Sequence, residues 1–170
     1  DPVPAHVITQ QDAEYELADI ILTGSQTCAD TVAAESPVPE VAGKLRVLPY
    51  CFDDALFGDL PAPAPVTEDE PVRFLMVGQL GPRKGIHLLL QALDHLPAGK
   101  FSLTLLGALN IPQETFAPYA DRVTHIPHLP RSGVPQVMAR HHVLVFPSYF
   151  EGSAISLLEA LASGLALIQS

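Results

Sequence analysis

Residues 143–163 have the sequence VLVFPSYFEGSAISLLEALAS, which combines a predicted strand, a loop and a helix. The apolar run Val143–Phe146 predicts a buried strand that ends at Pro147. The loop that follows carries Glu151 and Gly152, and a helix is predicted from Ser153 onward. A short apolar strand that leads through a loop into a helix is the repeating unit of α/β folds.

The predicted helix after Gly152 has apolar or small residues nearly all round, so we expect it to be buried on nearly all sides. Its polar residues, Ser156, Glu159 and Ser163, form a single stripe. No Lys or Arg lies on this helix to pair with Glu159, and a buried carboxylate without a partner is costly. We therefore expect Glu159 to face a cleft where hydroxyl groups meet it. The alternative is an amphipathic helix with Glu159 in water, although a solvated face usually carries more charges.

The alternation of strands and helices extends over the whole region from residue 72. Strands are predicted at residues 72–77, 101–106, 123–126, 143–146 and 165–168. Helices are predicted at residues 85–96, 113–119 and 133–139, and from Ser153. Continuous apolar strands separated by helices indicate a parallel sheet covered on both faces, so the predicted fold class is α/β, a Rossmann-like doubly wound parallel sheet. In such sheets ligands bind outside the carboxyl ends of the strands, so we expect a site in the loops after Val77, Leu106 and Phe146.

The residues before this sheet form a shorter α/β segment. Helices are predicted at residues 12–18 and 26–35, and strands at residues 19–23 and 44–48. Residues 59–71 are rich in Pro and acidic residues, which is typical of a linker. The predicted division is therefore 1–58, 59–71 and 72–170. The sequence stops directly after a strand, so we expect the last domain to be truncated at its C-terminal end.

Composition excludes several classes of function. The formal net charge of −10 argues against non-specific binding of nucleic acid, which needs many Lys and Arg residues. Only two cysteines are present, without a Cys/His cluster, so neither a disulfide framework nor a zinc site is predicted. No apolar run is long enough for a membrane span and no signal peptide is evident, so we expect a cytoplasmic protein.

The loop after the first regular strand, residues 78–85, has the sequence GQLGPRKG. It holds Arg83 and Lys84, two of only nine Lys and Arg residues in the chain. Adjacent cations at the start of a helix, where backbone N–H groups also point outward, predict a phosphate or pyrophosphate site. The alternative is a solvated basic turn, because the loop is neither a GxGxxG motif nor a P-loop.

The stretches VGQLGPRKGIHLLLQAL and PSYFEGSAISLLEALASG together resemble the donor-binding domain of the group 1 (family 4) glycosyltransferases of the GT-B fold. That family has a G-R-x-x-x-x-K-G loop before one helix and P-S-x-x-E-G-F-G-x-x-x-x-E-A before another. Residues 14–25 and 45–57 resemble the end of the family's acceptor domain and the crossover between domains. Asp53 and Phe57 match that pattern, whereas Cys51 stands where glycine is usual.

The resemblance implies a retaining transfer of a sugar from a nucleotide-diphosphate sugar. Glu151 would contact hydroxyl groups of the transferred sugar, and Glu159 the ribose diol of the nucleotide. Lys84, with Arg83, would stabilise the diphosphate as negative charge develops on the departing oxygen. The catalytic residues implied are therefore Lys84, Arg83 and Glu151. The donor-binding residues implied are Gly78, Gln79, Gly152, Ser153, Ala154, Ile155 and Glu159, with the amides of residues 152–155 meeting the sugar and the distal phosphate.

Two departures from the family pattern leave parts of this site open. Gln79 stands where the family usually has a phosphate-binding Arg, so either Arg83 supplies that charge or diphosphate binding is weaker. Ser153 and Ala154 replace the usual Phe-Gly, which leaves the sugar undetermined.

No metal and no other cofactor is expected, because the cations of the loop take the place of a metal.

Several partners are expected from the same resemblance. The donor is a nucleotide sugar, and the acceptor is a sugar, a lipid or a small molecule. Contact with a membrane surface is expected only through the acceptor domain, most of which this chain lacks by the resemblance. The chain also lacks the family's catalytic His motif, so alone we expect it to be inactive, and its own histidines are interpreted as structural or surface residues.

Two other functions compete with a transferase. The first is a non-catalytic nucleotide-binding or interaction domain derived from the same fold. The second is a dinucleotide-dependent oxidoreductase, which is disfavoured because no GxGxxG with a later acidic ribose ligand follows any predicted strand.

Overall fold

The computed structural model describes residues 3–170, and the chain divides into two compact units, with the boundary between Tyr50 and Cys51. The elements of the first unit are α1 (Ala5–Leu17), β1 (Ile21–Thr23), α2 (Gln26–Glu35), α3 (Val41–Lys44) and β2 (Leu45–Val47). The two strands pair in parallel. Helix α1 begins seven residues before the prediction, because no helix-breaking residue lies between Pro4 and Asp12.

The second unit contains a five-stranded sheet with helices on both faces. Its strands are β3 (Val72–Val77), β4 (Phe101–Leu106), β5 (Thr124–Ile126), β6 (Val143–Phe146) and β7 (Ala166–Gln169). Its α-helices are α4 (Asp54–Phe57), α5 (Ile86–Leu93), α6 (Gln113–Phe116), α7 (Val134–Met138) and α8 (Ile155–Ala162). Short 3-10 helices span Pro82–Lys84, Ala117–Arg122 and Arg131–Gly133.

All neighbouring strands of this sheet are parallel, in the order β5-β4-β3-β6-β7. The chain moves outward from β3 to β4 and β5, and then crosses to β6 and β7 on the other side of β3. The sheet is therefore doubly wound, and the strand order reverses between β3 and β6. This confirms the predicted α/β fold class with its Rossmann-like parallel sheet.

Apolar side chains from both faces of the sheet form two cores. Because successive residues of a strand point to opposite faces, Leu75 and Met76 of β3 enter different cores. The core on one face is completed by Met138 of α7 and Ala160 of α8, and the core on the other face by α5. Coverage of both faces explains why the strands are mostly apolar.

The segment before β3 packs into the second unit. Phe57 is fully buried in the same core as Leu75 and Leu144. Residues 51–58 therefore fold with the sheet, although the sequence analysis grouped them with residues 1–50. The reason is that a large aromatic side chain in a short helix is stabilised by burial in the sheet's core. Residues 59–71 form neither helix nor strand. That residues 1–50 are the end of an acceptor domain stays a prediction.

Proline residues and tightened turns explain where the helices depart from the predicted bounds. Helix α5 ends at Leu93, three residues early, because the next turns close with i to i−3 bonds, such as Leu96 N–H to Leu93 C=O, and Pro97 follows. The helix predicted over residues 113–119 changes from α to 3-10 at Ala117, directly before Pro118.

The expectation that the helix after Gly152 is buried nearly all round is wrong. In α8 the buried residues are Glu159 and Ala160, whereas Leu161 is 57% exposed. The reason is that only one face of the helix packs on the sheet. Within residues 3–170, no helix combines the length and the apolar character needed to cross a membrane.

Candidate functional site

The reversal of strand order brings two loops together at the carboxyl end of the sheet. One loop leaves β3 after Val77, and the other leaves β6 after Phe146. Two of the hydrogen bonds that join them accept at backbone carbonyls: the Tyr149 N–H donates to the Arg83 carbonyl (3.0 Å), and Arg83 Nη1 donates to the Phe150 carbonyl (2.7 Å). Such a switch point is where open α/β sheets place their ligands.

Close contact between these loops depends on Gly85. Its φ is +71°, and a Cβ atom at this position would lie 2.0 Å from the Pro147 carbonyl oxygen. No side chain fits there, so the glycine lets the cationic loop pass directly against the loop after β6.

Two cations and one carboxylate meet where the loops touch. Glu151 Oε1 accepts hydrogen bonds from Arg83 Nη1 at 2.7 Å and from Lys84 Nζ at 2.8 Å. The Lys84 ammonium also lies 4.4 Å from the centroid of the Phe146 ring, which is a cation–π contact. The Lys84 side chain is only 12% exposed, compared with 55% for Arg83. The three residues predicted as catalytic from the sequence therefore form one cluster, which we call the ion cluster.

The ion cluster keeps its acid ionised. Partial burial of the carboxyl would raise the pKa of Glu151, but the hydrogen bond and charge of Lys84, together with the charge of Arg83, lower that pKa below its usual range. At neutral pH the cluster therefore consists of two cations and one anion. It retains one net positive charge, which suits an anionic ligand.

A cavity of about 340 Å³ opens at the carboxyl ends of β3, β4 and β5. Its walls are formed by Val77, Gly78, Gln79, Leu106, Gly107, Ala108, Pro127, His128, Leu129 and Val134. Gly107 has a φ of +133°, and a Cβ atom there would lie 1.8 Å from the Gly78 carbonyl oxygen, so glycine is required at this point of the wall. Two of the loops were predicted, whereas the loop after Ile126 was missed. The signal for it was present, because a third predicted strand ends at Ile126.

Glu159 has a charged partner that the sequence analysis did not identify. Arg131 Nη2 donates to Glu159 Oε1 at 2.5 Å. The Glu159 side chain is 5% exposed, which excludes the alternative of a carboxylate in water, and the Arg131 side chain is 56% exposed. That hydroxyl groups meet this carboxylate stays a prediction, and the structure adds a cation from the 3-10 helix after β5. Arg131 follows a predicted strand at the ligand-binding edge, and that was the available signal.

The other predicted site residues lie in the same loops. Gly78 and Gln79 belong to the cavity wall. Gly152, Ser153 and Ala154 are half-buried in the loop before α8, and Ile155 is the first, exposed residue of that helix. Ala154 is the N-cap and has no polar side chain with which to cap the first amides of α8.

Three histidines make structural contacts: His141 and His142 lie directly before β6, and His87 lies beside Tyr149 of the loop after β6. The His141 ring lies 2.6 Å from the Val137 carbonyl through Nδ1 and 2.8 Å from the Thr104 hydroxyl through Nε2. His142 Nδ1 accepts the Arg73 N–H at 3.1 Å. His87 stacks on Tyr149, with ring centroids 5.8 Å apart. Each of these rings is held by contacts within the fold.

The fold and the cluster of cations at its switch point define a class of protein that comparison with known families identifies. Residues 62–170 match the family described as "Glycosyl transferases group 1", and this chain belongs to that family. The resemblance stated from the sequence is thereby confirmed.

Three similar proteins illustrate the relationship. The chain is 29% identical over 105 residues to O-antigen chain mannosyltransferase B of Escherichia coli, covering 56% of this chain and 28% of that protein. It superposes on sucrose-phosphate synthase from Thermosynechococcus elongatus with a TM-score of 0.78 and 24% identity, over 98% of this chain and 44% of that one. For Anabaena HepE in complex with UDP and glucose the TM-score is 0.73 and the identity 17%, over 95% of this chain and 47% of that one. The chain thus spans less than half the length of these relatives, and the two structural likenesses show the shared fold.

Proposed function

We propose that this chain provides the donor-binding half of a glycosyltransferase that transfers a sugar from a nucleotide-diphosphate sugar to an acceptor. The single observation that carries the proposal is the ion cluster, in which Arg83 and Lys84 meet Glu151 at the switch point of the sheet. The structure of Anabaena HepE was solved with UDP and glucose, which supports a nucleotide sugar as the class of donor.

The ion cluster suits the stabilisation of a leaving diphosphate. When the bond between the anomeric carbon and the diphosphate oxygen breaks, negative charge develops on that oxygen. Lys84 and Arg83 bring N–H donors and positive charge to the switch point of the sheet, and both stabilise the charge that develops on this oxygen. We propose that these donors turn to the diphosphate, and that Glu151 then accepts hydrogen bonds from sugar hydroxyls.

The nucleoside is proposed to occupy the cavity and the space near Glu159. A volume of about 340 Å³ lies within the usual range for small-molecule sites, and the wall offers apolar side chains and glycine backbone for a base. The Glu159 carboxylate has acceptor capacity beyond the oxygen lone pair used by Arg131, and a ribose diol supplies two O–H donors. The amides of residues 152–155 are proposed to meet the sugar and the distal phosphate.

Family membership supports two further parts of the proposal. The transfer is proposed to retain configuration, which means that the acceptor oxygen bonds to the anomeric carbon on the face that the diphosphate leaves, while the proton of the acceptor hydroxyl passes to the departing diphosphate oxygen. No metal is proposed, because Lys84 and Arg83 provide the positive charge that a metal would otherwise supply. The acceptor is proposed to be a sugar, a lipid or a small molecule bound by another domain.

Calorimetric titration of the chain with UDP, GDP and ADP tests the proposal. We expect one of the three to bind, and Lys84→Ala to weaken it by about 10- to 100-fold, as expected for the loss of a charge-assisted hydrogen bond in a partly buried site. Lys100→Ala is the matched control, because Lys100 is exposed in the turn before β4. Failure of all three nucleotides to bind, or equal effects of the two substitutions, would overturn the proposal.

A non-catalytic nucleotide-binding domain is favoured by one observation, the presence of Gln79 where the family has Arg. The two functions differ in what they require of Arg83, which has to supply the second positive charge if sugar is transferred. In the whole protein, Arg83→Ala is expected to reduce kcat for sugar transfer. Undetectable turnover by the unsubstituted whole protein, despite nucleotide binding, would favour the non-catalytic function.

A further inference from the structure

Arg131 projects from a fixed turn toward α8. It begins the 3-10 helix Arg131–Gly133, which is closed by a hydrogen bond from the Gly133 N–H to the Pro130 carbonyl (2.8 Å). Its guanidinium carbon lies 5.9 Å from the centroid of the fully buried Phe57 ring. A turn that begins after a proline and a contact with a rigid aromatic ring together limit where the guanidinium can lie.

The ion pair between Arg131 and Glu159 is unequal in its burial. The acid is 5% exposed and the base 56% exposed. The guanidinium therefore keeps water on its remaining donors, and the desolvation cost falls mainly on the carboxylate. Without Arg131, the Glu159 carboxylate would be a buried charge that has lost its cationic partner. Arg131 thus offsets part of the cost of burying a carboxylate at this position of α8.

Packing of α8 does not depend on this ion pair. Ala160 of the helix and Leu165 after it lie in the same core as Leu144 of β6. The Ser163 hydroxyl closes the last turn by donating to the Glu159 carbonyl at 2.7 Å. Loss of Arg131 is therefore expected to leave α8 in place and to alter the position of the Glu159 carboxylate.

We propose that Arg131 is a positioning residue for the nucleotide ribose and acts through Glu159. By donating to Oε1 it holds the carboxylate in one orientation, so that the remaining lone pairs accept hydrogen bonds from the ribose hydroxyls. The inference rests on the proposed function, because it assumes that a nucleoside diphosphate binds beside α8.

The test compares nucleotides that differ only in the ribose hydroxyls. UDP, GDP, ADP and their 2′,3′-dideoxy counterparts are titrated calorimetrically into the unsubstituted chain, Arg131→Gln, Glu159→Gln and the double variant. We expect Arg131→Gln to weaken the ribonucleotide about tenfold and to leave the dideoxynucleotide unchanged. Because Arg131 acts through Glu159, the double variant is expected to bind like Glu159→Gln, and Arg131→Lys to recover part of the affinity.

The control is Arg122→Gln, which removes another ion-paired arginine, one that contacts Asp94 at 2.7 Å outside the site. Equal weakening of ribo- and dideoxynucleotides by Arg131→Gln, or no weakening of either, would overturn the inference and leave the proposed function standing. Failure of the unsubstituted chain to bind any of the nucleotides would overturn both. If circular dichroism shows that Arg131→Gln does not fold, Arg131→Lys takes its place, with a smaller loss of affinity expected for the ribonucleotide and none for the dideoxynucleotide.

Discussion

The two carboxylates at the edge of the sheet are held in different ways. Glu151 lies in a loop, and two cations from a second loop bond to one of its oxygens. Glu159 lies on a helix and is more deeply buried, with one cation that reaches it from solvent. The difference teaches that an acid between two loops depends on how the loops meet, whereas the acid on the packed helix depends on an arginine from a neighbouring turn. Each of the following predictions changes one side of this comparison.

The largest effect is expected where the two loops touch. Gly85→Ala places a Cβ atom 2.0 Å from the Pro147 carbonyl oxygen at a φ of +71°, so the loops have to separate and the ion cluster is lost. We expect the free energy of unfolding to fall by about 3 kcal/mol or more, which is the range for strain combined with a backbone clash. Urea denaturation measures it.

A matched glycine isolates the clash from the strain. Gly99 has a similar φ of +78°, but a Cβ atom there has nothing within 4 Å. Gly99→Ala is expected to cost about 1–2 kcal/mol, the cost of a left-handed conformation alone. Equal losses for the two variants would show that the loops do not depend on their contact at Gly85.

The second prediction concerns Arg131, the cation that contacts Glu159. Arg131→Gln leaves a buried carboxylate without its cation, whereas Glu159→Gln leaves an exposed arginine in water. We expect Arg131→Gln to lower the free energy of unfolding by about 1–2 kcal/mol more than Glu159→Gln, a discounted form of the cost of breaking a buried pair because one member is solvated. If urea denaturation at pH 7 shows equal losses in the free energy of unfolding for the two variants, the difference in burial between Glu159 and Arg131 does not govern the cost of breaking the pair.

The third prediction reverses the sign of the effect at the other carboxylate. Glu151→Gln removes the only anion of the ion cluster and leaves two cations for the diphosphate. UDP, GDP or ADP, whichever binds, should then bind about two- to fivefold more tightly, the scale of a partly exposed charge interaction. The gain should shrink in 0.5 M salt, because screening weakens it. If calorimetry shows that Glu151→Gln and Glu159→Gln both weaken nucleotide binding, the proposed opposite effects of the two acids are contradicted.

The two carboxylates also show which parts of the structure can be predicted from the sequence and which cannot. Strands β3, β4 and β6 were predicted at their observed bounds, because an apolar run that ends at glycine or proline has few alternatives. The loop of residues 78–85 meets Glu151 because β3 and β6 are neighbours in the sheet. The order of the strands along the chain does not by itself determine which strands are neighbours. The pairing of Arg131 with Glu159 was missed because it joins residues from different elements. Such contacts depend on how α8 packs on the sheet, and the periodicity of the local sequence does not determine that packing.

The smallest effect is expected from pH, because the ion cluster and the two histidines directly before β6 respond in different pH ranges. Desolvation lowers the pKa of His141 and His142 below the usual 6.5. Below pH 6.5 the unfolded chain therefore binds more protons than the folded chain, so the free energy of unfolding falls as the pH falls through this range. Although burial opposes it, Lys84 lowers the pKa of Glu151 below 4.5, so the stability that this acid contributes is lost only at more acidic pH.

Urea denaturation at pH 7.5, 6.5 and 5.5 should show the decline in the free energy of unfolding, and His141→Gln should make that decline shallower. A stability that is constant over this interval, or a decline of the same slope in His141→Gln, would contradict the assignment to the buried histidines.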